Sequence, residues 1–191
     1  MLTIEGNRNE TKAHYELKQI AKYLLWSRNC KMIATEVYGF YGNMLDYPER
    51  RFSDKNIIDT VGVDFTKMKN KTPKIKVVGF EAKASLSDFR NGFCTASEFT
   101  YVIAPINVIH KEEITKDIGL IEVDLDNYHI SKNADILDGI TTTVQAKSHL
   151  SKRFSDKEAY MQWAFKQVPR IAYRVTCTDL FKKPEIILTA N

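Results

Sequence analysis

Over residues 12–28, Ala13, Leu17, Ile20, Ala21 and Leu24 recur at helical spacing, which predicts a helix with one core-facing stripe. Thr11 stands where an N-cap hydroxyl belongs, and Asn29 where a helix can stop. The pattern then changes period. Residues 32–38, 57–64, 74–83, 99–104 and 119–124 are short runs, mostly apolar and Val- or Ile-bearing, bounded by polar or turn-forming residues, and they read as strands. Between the second and third runs lies the polar loop 66–73, which contains a proline. Folded as a hairpin centred near Asn70, that loop brings position 59 opposite position 81.

Other segments carry weaker signals. Residues 39–56 hold turn formers, aromatics and the adjacent pair Arg50 and Arg51, which suits either a substrate-contacting loop or a hairpin crown that packs its aromatics. Ser85 with Asp88 three residues later predicts a capped helix start, whose amides would be offered to a phosphate. That helix would cross over to a 99–104 strand parallel to 74–83. Residues 109–115 read as a turn, and 131–154 as a basic run holding Lys132, Lys147, His149, Lys152 and Arg153. Ser155 to Glu158 forms a capping box opening a last helix through about Val168, ended or kinked by Pro169. Its Tyr160, Trp163, Ala164 and Phe165 are read as packing residues.

The candidate chemistry lies on the hairpin. Glu81 and Lys83 share a strand face, with Asp59 opposite Glu81 across the strands. Two facing carboxylates repel and destabilise a strand pair unless a cation sits between them. Hard divalent cations such as magnesium take oxygen ligands, so the arrangement predicts a metal site for phosphodiester cleavage. Glu-x-Lys also occurs at Glu10-Thr-Lys12 and Glu16-Leu-Lys18, where helical surface acids and bases are routine. Only the third copy ends an apolar strand and faces another acid. Asp64 also lies in the 57–64 strand, but near the turn and far from Glu81 in the proposed register. Glu36 in the first strand is a candidate third acid, with Glu16 as the helical alternative.

Asp59 followed about twenty residues later by Glu81-Ala-Lys83 resembles the motif of the PD-(D/E)xK nuclease superfamily. The likeness spans roughly residues 11–153. Its element order, the Ser-Asp-Phe helix start and the strand ending in Ala-Pro are similar to the small branch containing MmcB-like DNA repair nucleases. The family's proline is missing before Asp59. The resemblance implies an α/β, restriction-endonuclease-like mixed sheet of about five strands flanked by helices, in one domain over 1–191 with a helical extension from about 154. It implies a magnesium- or manganese-dependent nuclease acting on nucleic acid, with DNA favoured over RNA and the choice between them left open by the sequence. Asp59, Glu81 and Lys83 would be catalytic, with the metal on Asp59, Glu81, the Ala82 carbonyl and Glu36. Nucleic acid would meet Ser85, Arg50, Arg51, Lys147, Lys152 and Arg153. A non-catalytic nucleic-acid-binding or protein-interaction module on the same fold is the alternative.

Composition is compatible with this picture without deciding it. With 191 residues, 43% of them hydrophobic, the chain can bury one sizeable core, and a formal net charge of +4 suits contact with phosphates. The three cysteines are widely spaced with no CxxC, so neither a disulfide framework nor a structural zinc site is expected. Four histidines show no metal-ligand spacing, and no glycine-rich phosphate loop is present. The polar first ten residues and the lack of a long apolar run predict no signal peptide, no membrane span and a cytoplasmic location.

Overall fold

A computed structural model describes residues 10–38, 57–67, 73–95, 97–131 and 137–148, together with eight positions between 158 and 172. Helix α1 (Lys12–Ser27) begins at Thr11, whose hydroxyl accepts the His14 amide. It ends where Asn29 takes a left-handed φ of 66°, a conformation asparagine tolerates. Strands β1 (Met32–Tyr38), β2 (Ile57–Lys67) and β3 (Pro73–Ala82) follow, then the short helix α2 (Leu86–Arg90) and β4 (Phe99–Pro105). A single 3-10 turn at Lys111–Glu113 precedes β5 (Gly119–Val123). Beyond it lie the short β6 (His129–Ile130) and β7 (Leu137–Asp138), and finally β8 (Ile140–Val144).

The architecture is α/β, with a six-stranded mixed sheet in the order β1-β2-β3-β4-β5-β8. β2 and β3 are antiparallel with Val63 opposite Val77 and Thr60 opposite Phe80, the register of a hairpin centred on position 70. β3 and β4 are parallel, as the intervening crossover requires, and β4 and β5 are parallel too. The sheet has one strand more than the five expected. The extra strand, β8, pairs antiparallel with β5 and lies within the stretch read as a basic run. Its Ile-Thr-Thr-Thr-Val sequence carried the β-branched signal that the flanking lysines obscured. The hairpin strands also run further toward their turn than expected, to Lys67 and from Pro73.

Alternation along the central strands explains why they read as unbroken apolar runs. Val78, Phe80 and Ala82 of β3, Tyr101 and Ile103 of β4, and Ile121 and Val123 of β5 face α1, packing on Leu17, Ile20, Ala21 and Leu24. The intervening Val77, Val102 and Leu120 face the other side, where Val77 shares a cluster with buried Ala164 and Val102 and Leu120 meet Phe89 and Phe93 near α2. Both faces are covered, as in sheets with parallel central strands. All eight described positions from 158 to 172 are helical. Of the aromatics expected to pack there, Phe165 is instead exposed, while Tyr160, Trp163, Ser155 and Pro169 lie outside the described residues.

One glycine is demanded by close approach. A Cβ on Gly119 would come within 2.3 Å of the Tyr101 ring and 2.8 Å of the Ala146 amide nitrogen, and neither neighbour can swing aside. Gly119→Ala is therefore expected to cost about 1–3 kcal/mol through overpacking. At about 2–4 °C per kcal/mol for a chain of this size, a thermal melt will fall by several degrees. An unchanged melting temperature would show that the β4–β5 interface yields more easily than its geometry implies.

Candidate metal centre on the split hairpin

The regular ladder between β2 and β3 ends at the Thr60–Phe80 pair. One step beyond it, the same register sets Asp59 against Glu81. On the other side of β2, Thr35 pairs with Thr60 and Val37 with Ile58, which sets Glu36 against Asp59. Three acids thus stand at one level on three neighbouring strands. The backbone is irregular there. Glu36 has a left-handed φ of 51°. Ile58 and Val61, three residues apart, both belong to the cluster away from α1, so side-chain alternation slips between them.

At this level side chains take over the role of the backbone ladder. The Ala82 amide donates to Asp59 Oδ2 at 2.9 Å. The Glu81 carboxyl in turn receives the amides of Asp59 and Cys94. Glu81 is 3% exposed, and its Oε1 meets no hydrogen-bond partner among the described residues. Burial first, and then the neighbouring Asp59 charge, push the Glu81 carboxyl well above the usual carboxylate range. Lys83 and the two amides pull the other way without restoring it. A buried acid with an orphaned oxygen beside a second acid is poorly satisfied by the protein alone. A set of carboxylate oxygens is also the donor chemistry that hard divalent cations take.

Lys83 follows β3 directly and is also buried. Its Nζ donates to Asp88 Oδ1 at 3.3 Å and to the Gly92 carbonyl at 3.2 Å, so α2 and the loop after it steady the ammonium near Glu81. Ser85 is exposed, and its hydroxyl accepts the Asp88 amide as the N-cap of α2, a helix of five residues. Lys147 is also exposed and follows β8, three strands away from β3, so the sheet does not bring it to the acids. Arg50, Arg51, Lys152 and Arg153 lie outside the described residues. Asp64 pairs with Lys76 in the ladder and receives Asn29 Nδ2 at 3.4 Å, far along β2 from Glu81. Glu16 accepts the Tyr128 hydroxyl at 2.8 Å and is engaged there instead of with the hairpin acids.

Three residues at the start of α1 escaped the sequence reading. His14 Nε2 lies 3.4 Å from Asp59 Oδ2, and its Nδ1 lies 2.7 Å from Glu10 Oε1. The same Glu10 oxygen lies 2.5 Å from Lys18 Nζ, which reaches Glu36 Oε1 at 2.8 Å. The hydrogen bond to Asp59, aided by that to Glu10, raises the His14 pKa against the lowering effect of burial. Burial also lowers Lys18, but its bonds to Glu10 and Glu36 outweigh it and the net shift is upward. The signal for this group was in the numbering: His14 and Lys18 are four apart on one helix face, and Glu10 stands four residues before His14, just ahead of the cap. Among the described residues, no three His, Cys, Asp or Glu side chains are grouped closely enough to hold an ion by themselves. No described helix is long and apolar enough to cross a membrane. Among known proteins, no family model, curated sequence or solved structure matches the chain significantly.

Proposed function

We propose that the chain is a magnesium- or manganese-dependent nuclease with a restriction-endonuclease-like, PD-(D/E)xK arrangement, acting on DNA rather than RNA. One observation carries the reading: the buried Glu81 carboxyl, with an orphaned oxygen, sits beside Asp59 where the hairpin ladder ends, two residues before a buried lysine. Asp59 and Glu81 would hold the ion, with the Ala82 carbonyl and Glu36 completing the set. When bound, the ion supplies an activated water and neutralises charge developing on the phosphate. Glu81 would have to release its proton to solvent before holding an ion, so metal affinity should rise with pH while that carboxyl is still protonated. Lys83, already steadied by Asp88 and Gly92, would orient the attacking water and meet negative charge on the phosphate oxygens. The test is incubation of the purified protein with plasmid, linear duplex, single-stranded DNA and RNA, each with magnesium, manganese or a chelator. Cleavage of DNA that the chelator stops is the expected result. Cleavage of RNA alone would reverse the substrate assignment.

The second reading is a module that binds nucleic acid or protein without cutting. It is favoured by the engagement of Lys83 with Asp88 and of Glu36 with Lys18, and by the lack of a tight three-ligand cluster among the described residues. DNA binding in magnesium without cleavage of any substrate would establish it in place of the nuclease.

A further inference from the structure

We propose that Glu10 is a positioning residue for the metal centre, setting Asp59 through His14 and Glu36 through Lys18. The inference rests on the metal-centre reading above and extends it to a residue outside the hairpin. Glu10 is an acid just before the helix cap, yet its side chain is only 8% exposed. A single one of its oxygens, Oε1, meets both His14 Nδ1 and Lys18 Nζ. Each cation then turns its remaining capacity to a different strand: His14 to Asp59 on β2, Lys18 to Glu36 on β1. Holding both ring nitrogens of a histidine fixes the ring plane, and with it the carboxylate the ring touches. Lys18, itself 4% exposed, meets both carboxylates through its single ammonium.

Charge compensation alone would be met by one acid for each of His14 and Lys18. Here both routes from one carboxylate finish on the two acids that stand level with Glu81. A residue just ahead of α1 thereby links the edge strand and its neighbour at the level where their backbone is irregular, with Glu36 in a left-handed conformation.

The test reads manganese affinity by titration calorimetry, well below the melting temperature of every variant. Glu10→Ala is expected to weaken manganese binding by about ten- to a hundredfold, the usual effect of losing an outer partner of a metal ligand. Glu10→Gln keeps an acceptor oxygen and the side-chain shape, so it should lose less, and it carries the test if the alanine variant does not fold. In an Asp59→Asn background the Glu10 change should lose the part of its effect that runs through His14, while the Lys18–Glu36 branch keeps the rest. Thr11→Ala is the control: it removes the α1 cap and loosens the same helix end, but should leave manganese affinity unchanged. Wild-type protein that binds manganese while both Glu10 variants bind as tightly overturns the proposal and leaves the metal centre standing. Equal weakening by Thr11→Ala also overturns it, since the effect would then be loss of helix order. Wild-type protein that binds no manganese overturns the proposal and the metal centre together.

Discussion

Asp59→Asn, Glu81→Gln and Lys83→Ala are each expected to reduce magnesium-dependent DNA cleavage by on the order of 10³-fold or more, about 4 kcal/mol of lost transition-state stabilisation. The three should separate in a second measurement. The two acid changes remove proposed ion ligands and should weaken manganese binding. The lysine change should leave binding nearly intact and lower the rate. Circular dichroism should be native for all three, because the hairpin register is set by pairs such as Val63–Val77 and Gly62–Val78 further along the ladder. Three variants that cut as fast as the wild type would remove the nuclease reading, however active the preparation.

The second large effect concerns stability without metal. Glu81 is buried with an unpartnered oxygen, and its carboxyl is raised well above the ordinary range of a glutamate. A carboxyl raised in the folded state holds its proton longer there than in the unfolded chain. The folded protein therefore binds more protons than the unfolded chain between those two pKa values, and stability falls as pH rises from about 4.5 toward the raised value. Below that window both states are protonated and the penalty vanishes. Glu81→Gln removes the titration while keeping the shape, so its advantage over the wild type should grow with pH through the window. A gain on the order of 2 kcal/mol is typical for relieving a poorly paired buried charge. This corresponds to roughly 4–8 °C in a melt at neutral pH in chelator. Excess magnesium should shrink the difference by stabilising the wild type alone. A wild type and variant whose melts stay parallel from acid to neutral pH would show that Glu81 is not penalised by burial.

The hairpin was the most legible part of the sequence because two strong signals agreed on it. Apolar runs defined β2 and β3, and the polar loop between them fixed a register that the Thr60–Phe80 pair shares. The parallel placement of β4 was read from the helix start between the two strands, because parallel neighbours need a long, usually helical, crossover. Two things were hidden. β8 was masked by lysines on either side of a threonine-rich run, a composition in which charge is more conspicuous than β-propensity. The Glu10, His14 and Lys18 group was hidden because its members look like ordinary helix-surface residues. Only the left-handed turn at Glu36 and the slip in β2 bring their partners within reach, and neither irregularity has a residue-type signature in a Glu or an Asp. At Ser85 the cap was legible from Asp88 three residues on, and its hydroxyl accepts the Asp88 amide.

Helix α1 turns Leu17, Ile20, Ala21 and Leu24 to the sheet, and its start holds Glu10, His14 and Lys18 against the acids of β1 and β2. The residues that let the chain fold and those that touch the candidate chemistry therefore occupy the same few turns. Evolutionary drift in this segment is constrained from two directions at once. The freedom that remains belongs to positions such as Lys12, Tyr15 and Ser27, which face solvent. In lineages where the chemistry has lapsed but the scaffold is kept, the apolar stripe should persist while positions 10, 14 and 18 diverge together. In that sense this one helix would record whether a descendant still uses the hairpin it leans on.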